Sequence, residues 1–130
     1  MKKIFFMAFL FFAVNSLAQI QSSDTILIPN DTLKNFNKSL FGDSLASSFY
    51  IVIYKEVKLH KHQFHSEHVY VISGEGDMTL GNEKKKIKSG DIIFIPKETP
   101  HALKVTSKEP VKILSVQSPY FDGKDRIMLE

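Results

Sequence analysis

Histidine is concentrated in the middle of this chain. All five histidines lie between positions 60 and 101, and four of them are His60, His62, His65 and His68. Imidazole nitrogens bind divalent transition metals and exchange protons near neutral pH, so metal binding or acid–base chemistry is the first hypothesis. If the segment is a strand, His60 and His62 point to the same face and can converge on one ion. Such a pair is weak support by itself, because histidines two apart are more often surface or hydrogen-bonded core residues.

Two further residues could complete a metal site. Glu67 follows His62 by five residues at the start of an apolar run, and a chain reversal between them could return its carboxylate to the same centre. His101 stands alone, directly after Pro100. Three imidazoles and one carboxylate suit a divalent transition metal, namely iron, manganese, zinc, nickel or copper. They suit calcium and magnesium less, since those ions prefer oxygen ligands.

The elements that must position these residues are short β-rich runs. From residue 49 onward, glycine, proline and other turn residues separate eight predicted strands, at 49–54, 57–60, 69–73, 78–80, 86–87, 92–95, 102–105 and 111–116. Turns about every 8–12 residues predict an all-β sandwich or closed barrel. Gly81-Asn82 predicts a two-residue hairpin turn, because both residue types tolerate positive φ.

The spacing around the first histidines resembles the cupin superfamily. Its first motif is a glycine, five residues, H-x-H, three or four residues, a glutamate, six residues and a glycine. This chain matches it at His60, His62, Glu67 and Gly74, and departs from it at Tyr54, which stands in the place of the leading glycine. The departure concerns a backbone position and puts no ligand in doubt.

The spacing around the last histidine resembles the second cupin motif. Gly90, Pro96 and His101 fall at the required positions, whereas Glu98 replaces a glycine and Val105 replaces an asparagine. Neither replaced position is usually a metal ligand. The resemblance therefore covers the chain from about 54 to 105, with weaker similarity to the C-terminus.

The resemblance implies a single-domain jelly-roll barrel, also called a double-stranded β-helix, with one metal ion between its two sheets. It implies one set of ligands: His60, His62, Glu67 and His101. One or two coordination positions would stay open for water or substrate. His68 should point away from the metal because it follows Glu67 on a strand. His65 should face solvent or the mouth of the cavity, and compact members of this superfamily suggest a homodimer.

The chain begins with a predicted signal peptide, residues 1–18. Lys2 and Lys3 precede an apolar run at 4–14, and Ala18 offers a small residue for cleavage. A retained membrane anchor is the alternative, but spanning a bilayer takes about 20 apolar residues and this run is shorter. Export would place the mature protein in the periplasm or outside the cell, without stable membrane insertion.

The remaining chain divides into three predicted parts. An N-terminal arm at 19–48 precedes the barrel at 49–117, and a tail at 118–130 should pack on the barrel or on a second subunit through Tyr120 and Phe121.

The arm is the part that sequence patterns define least. A strand candidate lies at 26–28, and Asp31 could cap a short helical turn carrying Leu33, Phe36 and Leu40. The alternative is an extended arm that packs on the barrel or on a partner.

Composition limits the classes of partner. The chain has 17 basic and 14 acidic residues, and the two leader lysines account for most of the excess. A balance so near neutral gives no electrostatic reason to expect nucleic acid as a partner. With no cysteine, these residues can form no disulfide and supply no thiolate ligand.

Three functions remain open at this stage. The leading hypothesis is a metal-dependent enzyme, of dioxygenase or isomerase type, acting on a small organic molecule. The second is a cupin that binds metal or a small ligand without catalysis, and the third is a cupin without metal. Beyond the expected ligands, only Tyr50, Tyr70, Glu98 and Lys104 offer polar groups nearby in sequence, and none stands out as an acid or base.

Overall fold

Where the structure describes the chain, its regular secondary structure is almost all β strand. The structure, a computed structural model, describes residues 18–30 and 34–130. Its strands are β1 (Phe36–Gly42), β2 (Ser47–Ile53), β3 (Glu56–Lys61), β4 (Ser66–Ser73), β5 (Glu75–Leu80), β6 (Glu83–Lys88), β7 (Ile92–Ile95), β8 (His101–Val105), β9 (Val111–Ser118) and β10 (Ile127–Met128). All eight strands expected from the sequence are present, and a single 3-10 turn at Ser23–Thr25 is the only helical element in the described residues.

The strands form two five-stranded antiparallel sheets. One has the order β1-β2-β9-β4-β7 and the other the order β10-β3-β8-β5-β6. From β2 to β9 the chain passes repeatedly from one sheet to the other. Each sheet therefore buries the face that the other sheet covers, which is the double-stranded β-helix predicted from the sequence.

The apolar core lies between the two sheets. Along β4, buried Val69 and Val71 alternate with exposed His68 and Tyr70, as the two-residue period of a strand requires. The buried cluster is completed by side chains from both sheets: Ile53, Met78, Ile87, Ile95, Leu103, Val111 and Ile113. Burying each such side chain contributes about 1.5–3 kcal/mol, so this cluster is the main source of stability.

Two glycines hold turns that other residues would strain. Gly81 has φ +58° in the two-residue turn between Leu80 and Glu83, where the sequence predicted a hairpin. Gly74, the last fixed position of the first motif, has φ +84°, and a Cβ there would lie 2.7 Å from the carbonyl oxygen of Pro110. A side chain at Gly74 would therefore collide with the backbone leading into β9.

The helical turn predicted in the N-terminal region is not formed by the residues that the structure describes there. Phe36 and Leu40 lie on strand β1, which pairs with β2, so the helical turn predicted there is wrong for its described part. Asp31 and Leu33 lie outside the described residues, as do residues 1–17 of the predicted signal peptide.

A second, smaller apolar cluster covers the outer face of β2. Ile26 packs there with Tyr50 and Val52, whose neighbours Ile51 and Ile53 face the main core. Ile26 and Ile28 thus lie on the outer face of this sheet, and the strand predicted at 26–28 does not form. Among the described residues, no helix has the length and apolar character needed to cross a membrane.

Candidate metal centre

Three histidines meet where β3 adjoins β8. His60 lies directly opposite His101 across the two strands, and His62 follows the end of β3. One ring nitrogen from each lies within 4.8 Å of the others, and all three residues are buried. Strand alternation and register therefore bring together residues 41 positions apart, in an arrangement that could hold a metal ion.

Each imidazole is oriented by a backbone carbonyl. The three Nδ1 atoms each bond to one carbonyl oxygen: His60 to Lys58 at 2.8 Å, His101 to Thr99 at 2.9 Å, and His62 to Asp125. Such a bond places the proton on Nδ1 and leaves the lone pair on Nε2, which is the form that binds metals.

One of these Nε2 atoms has no partner. The Nε2 of His101 is buried and makes no hydrogen bond among the described residues. Leaving a buried polar atom unpaired costs about 1–3 kcal/mol, and a coordinated ion would satisfy it. The donor set thus fits a divalent transition metal, the class expected from the sequence.

Glu67 lies beside the three histidines. Its Oε2 is 3.7 Å from the Nε2 of His62 and 3.6 Å from that of His101, while Oε1 accepts a hydrogen bond from the hydroxyl of Ser115. Burial alone would raise the pKa of Glu67, but the adjacent rings of His101 and His62 and the hydrogen bond from Ser115 outweigh it and hold that pKa well below its usual range. Glu67 is therefore an ionised carboxylate at neutral pH.

The same surroundings shift the pKa values of His60 and His62 in opposite directions. Burial, reinforced by the neighbouring His101, lowers the pKa of His60 to about 4, so its ring is neutral at physiological pH. Burial also acts to lower the pKa of His62, but the nearby carboxylate of Glu67 and the carbonyl of Asp125 outweigh that effect and raise the pKa. In the absence of metal, His62 is the ring that the carboxylate of Glu67 helps to protonate.

A cavity of about 320 Å³ adjoins this centre. The three histidines and Glu67 lie in its wall, and aliphatic side chains of both sheets form most of the remainder, among them Ile51, Ile53, Val57, Val69, Met78, Ile93, Ile95, Leu103 and Ile113. Further polar lining comes from Gln117 and Arg126, together with Asn35 and Asn37. A mostly apolar cavity with a few polar groups is typical of a small-molecule site.

The C-terminal tail supplies part of the cavity wall. Phe121, Gly123 and Arg126 line it, and the Phe121 ring packs edge-on against that of His62, with centroids 5.4 Å apart. Beyond Arg126, strand β10 pairs with β3, placing Ile127 opposite Lys61. The tail thus closes over the metal-binding end of the barrel.

His65 attaches the tail to the loop between the ligands. It is buried, so the first expected position, facing solvent, is wrong, and it is not among the residues that line the cavity at whose mouth it was alternatively expected. Its Nδ1 lies 2.5 Å from Oδ2 of Asp125, and its Nε2 is 2.9 Å from the carbonyl oxygen of Tyr120. The carboxylate of Asp125 also accepts the amides of Gln63 at 3.0 Å and Phe64 at 2.7 Å. Burial acts to raise the pKa of Asp125, but these hydrogen bonds hold it at about 2.

The other polar residues singled out from the sequence lie away from the cavity. His68 is exposed and stacks near Phe94, with ring centroids 4.7 Å apart. The remaining four are absent from the cavity wall: Tyr50, Tyr70, Glu98 and Lys104.

Sequence patterns missed three residues that the structure brings to the site. Gln117 was recoverable, because extending the alternation of β9 from Ile113 places it on the inner face. Asp125 and Arg126 carry no such signal, since they lie in an irregular segment before β10.

Comparison with known proteins gives consistent results. Residues 51–117 match the family of cupin domains. An uncharacterised protein of Methanocaldococcus jannaschii is 43% identical over 72 residues, which make up 55% of this chain and 58% of that protein. The L-ectoine synthase of Hahella chejuensis is 32% identical over 117 residues, covering 86% of each protein. A double-stranded β-helix protein from Klebsiella pneumoniae superposes with a TM-score of 0.74 at 22% identity, over 88% of this chain and 99% of that one.

Proposed function

Because this chain belongs to the cupin family, we propose that it is a metal-dependent enzyme acting on a small organic molecule. Its ligands would be His60, His62, His101 and Glu67. The observation that carries the proposal is the convergence of three buried imidazoles, each bound through Nδ1 to a carbonyl and therefore presenting Nε2 to one centre. Glu67 adds a carboxylate that is already ionised in the metal-free protein.

Bound in this site, a divalent metal would act as a Lewis acid toward an oxygen atom of the substrate. The protein's own contribution is orientation and the exclusion of water. Backbone carbonyls hold the imidazoles in place, Ser115 holds the carboxylate, and Phe121 packs against His62 from the tail side. The aliphatic wall leaves the cavity poor in competing polar groups.

Catalysis is preferred over simple binding for two reasons. The metal site adjoins a cavity of about 320 Å³, so a ligand could reach the ion from inside the barrel. L-ectoine synthase, which matches most of the chain, is an enzyme. One observation favours the alternative of a non-catalytic binder: apart from the four proposed ligands, the described lining residues include no acid or histidine to transfer protons.

Metal analysis of the purified full-length protein is the first test. We expect about one equivalent of a divalent transition metal, and sharply reduced occupancy in His62→Ala and His101→Ala. His68→Ala is the matched control, because that imidazole is exposed on the outer face. If His68→Ala lost the metal and His101→Ala kept it, the ligand assignment would be wrong.

Turnover separates the enzyme from the binder. Metal-loaded and chelator-treated protein would be screened with hydroxy acids, keto acids, amino acids and sugars, with product formation followed by mass spectrometry. An enzyme converts at least one compound only when metal is bound, and His101→Ala abolishes the conversion. Saturable ligand binding without any conversion would support the binder.

Export and assembly belong to the same proposal. The leader at 1–18 supports export and removal of the leader, and the mass of the mature protein recovered from the native cell tests this. Homodimerisation rests on the family resemblance, and light scattering coupled to gel filtration tests it.

A further inference from the structure

One cation at the cavity has no acidic partner. Arg126 lines the cavity, and burial acts to lower its pKa while the charge of Glu67 opposes that effect. Throughout 18–30 and 34–130, no carboxylate lies within salt-bridge distance of its guanidinium. Arg126 is exposed to solvent as a whole residue, yet it forms part of the cavity wall. A guanidinium offers five N–H donors in a planar fork, so one that lines a cavity without a carboxylate partner can bind an anion there.

Glu67, whose charge acts on Arg126, and the chain neighbour Asp125 both have other partners. The carboxylate of Asp125 is held by His65 and by the amides of Gln63 and Phe64. Glu67 is held by Ser115 and lies against the histidines. With a divalent ion in place, the polar part of the cavity would carry the charges of the metal and Arg126 against the single charge of Glu67. The excess is positive, so the cavity attracts an anion.

A buried hydrogen-bond acceptor is also unused. Gln117 is 5% exposed, and its Oε1 has no partner within the described chain. It stands directly opposite Glu67 on neighbouring strands, so it lies beside the metal centre in the same cavity wall. Buried polar atoms almost always have partners, so this oxygen is available to accept a hydrogen bond from a molecule bound in the cavity.

The position of Arg126 is set by the fold. Its amide bonds to the carbonyl of Lys124 at 2.9 Å, and the next residue, Ile127, pairs with Lys61 on β3. On the other side, Asp125 is attached to the loop between the ligands. The guanidinium is therefore carried by backbone that is fixed on both sides, as a recognition residue requires.

We infer that the molecule bound in this cavity is a small organic carboxylate, whose carboxylate group pairs with Arg126 while a hydroxyl or amine group donates to Gln117. This rests on the proposed function and names the substrate class of the same site. A carboxylate fits better than a phosphate, because the described lining contains one arginine and no lysine, whereas phosphates are usually bound by several donors. The cavity volume of about 320 Å³ is at the low end for ligand sites, which limits the molecule to small metabolites.

Binding of matched acids and amides tests the inference. The probes are three- to six-carbon hydroxy and amino carboxylates, each paired with its neutral amide, and inorganic phosphate. Affinities for the full-length protein would be measured by calorimetry or NMR, in metal-depleted protein as well as metal-loaded protein. In metal-depleted protein, a higher affinity for the acid than for its amide cannot come from metal coordination. It must come from the side chains of the protein.

At least one acid should bind about tenfold or more tightly than its amide, because a charge-assisted bidentate pair is made only with the acid. Arg126→Gln should abolish that preference, and Arg126→Lys should keep part of it, since the charge stays but the fork is lost. Lys124→Gln is the control, as it removes an exposed cation two residues away. Unchanged thermal stability and metal affinity of Arg126→Gln would show that the fold is intact.

Three results would overturn the inference: no acid preferred over its amide, a preference that survives Arg126→Gln, or phosphate bound more tightly than every carboxylate. These results can be told apart from those that would refute the proposed function, which are a lack of metal binding or a lack of turnover. The carboxylate preference in metal-depleted protein depends on neither.

Discussion

Replacing Asp125 with alanine removes the connection between the tail and the ligand loop. The carboxylate of Asp125 accepts three hydrogen bonds, from the amides of Gln63 and Phe64 and from the ring of His65. The carbonyl of the same residue accepts the Nδ1 proton of His62. The substitution leaves that carbonyl in the chain but releases the side chain that holds it in position.

The size of the effect follows from these contacts. Hydrogen bonds to a charged group contribute about 1.5–3 kcal/mol each when they are buried. Two of the three donors are amides at the surface, which water can satisfy after the substitution, so each counts for about 0.5–1 kcal/mol. Together with the contact to His65, the substitution weakens docking of the tail by about 2.5–5 kcal/mol. Since a displaced tail no longer orients His62, we expect metal affinity to fall by about 10- to 100-fold.

Two measurements on the full-length protein check this prediction. Calorimetric titration gives the metal affinity, and amide hydrogen exchange reports whether the tail stays docked. Asp122→Ala is the matched control, because its carboxylate bonds only within the tail, to Lys124. If Asp125→Ala bound metal as tightly as the unmodified protein while its tail exchanged freely, the assigned role of the tail in orienting His62 would be refuted.

Three further predictions concern the carboxylate ligand, acid stability and the core. Glu67→Gln should weaken metal binding at least about tenfold, and more than Ser115→Ala, which only removes the hydrogen bond that orients the carboxylate; the reverse order in calorimetry would argue against Glu67 as a ligand. The folded pKa of Asp125 is about 2, below its ordinary 3.8, so its contribution is complete above about pH 4 and is lost as pH falls toward 2. In thermal melts the unmodified protein should therefore be more stable than Asp125→Asn above about pH 4, and this difference should shrink as pH falls toward about 2. A difference that stayed constant would contradict the explanation. Ile53 is 1% exposed, so Ile53→Ala should lower the free energy of unfolding by about 2–5 kcal/mol. Ile92 is 79% exposed, so Ile92→Ala should lower it by less than about 0.5 kcal/mol. Equal losses in urea titrations would contradict the assigned core.

The strands and the histidine cluster could be predicted because both depend on local periodicity. Alternation along a strand puts His60 and His62 near one another whatever the rest of the fold does. The segment around Val69 and Val71 likewise shows its buried face through residues two apart. Motif spacing then connected His101 to the same centre, and the register of β3 with β8 agrees with that connection.

The N-terminal region shows where local patterns become ambiguous. Phe36 and Leu40 are four apart, a spacing that places two residues on one face of a helix and also on one face of a strand. The edge of β2 decides between the two, because its unpaired backbone groups take up the segment as β1.

The contribution of the C-terminal tail to the site was determined by tertiary structure alone. Asp125 and Arg126 are more than sixty residues from His60 and His62 in the chain, and they belong to an irregular segment with no period from which to infer a face. Their positions come from pairing of β10 with β3 and from bonds to loop amides, which are contacts between distant parts of the chain. The sequence by itself determined which side chains could bind a metal, because that depends on residue type and strand period. The folded chain decided what surrounds the metal, because that depends on which surfaces meet.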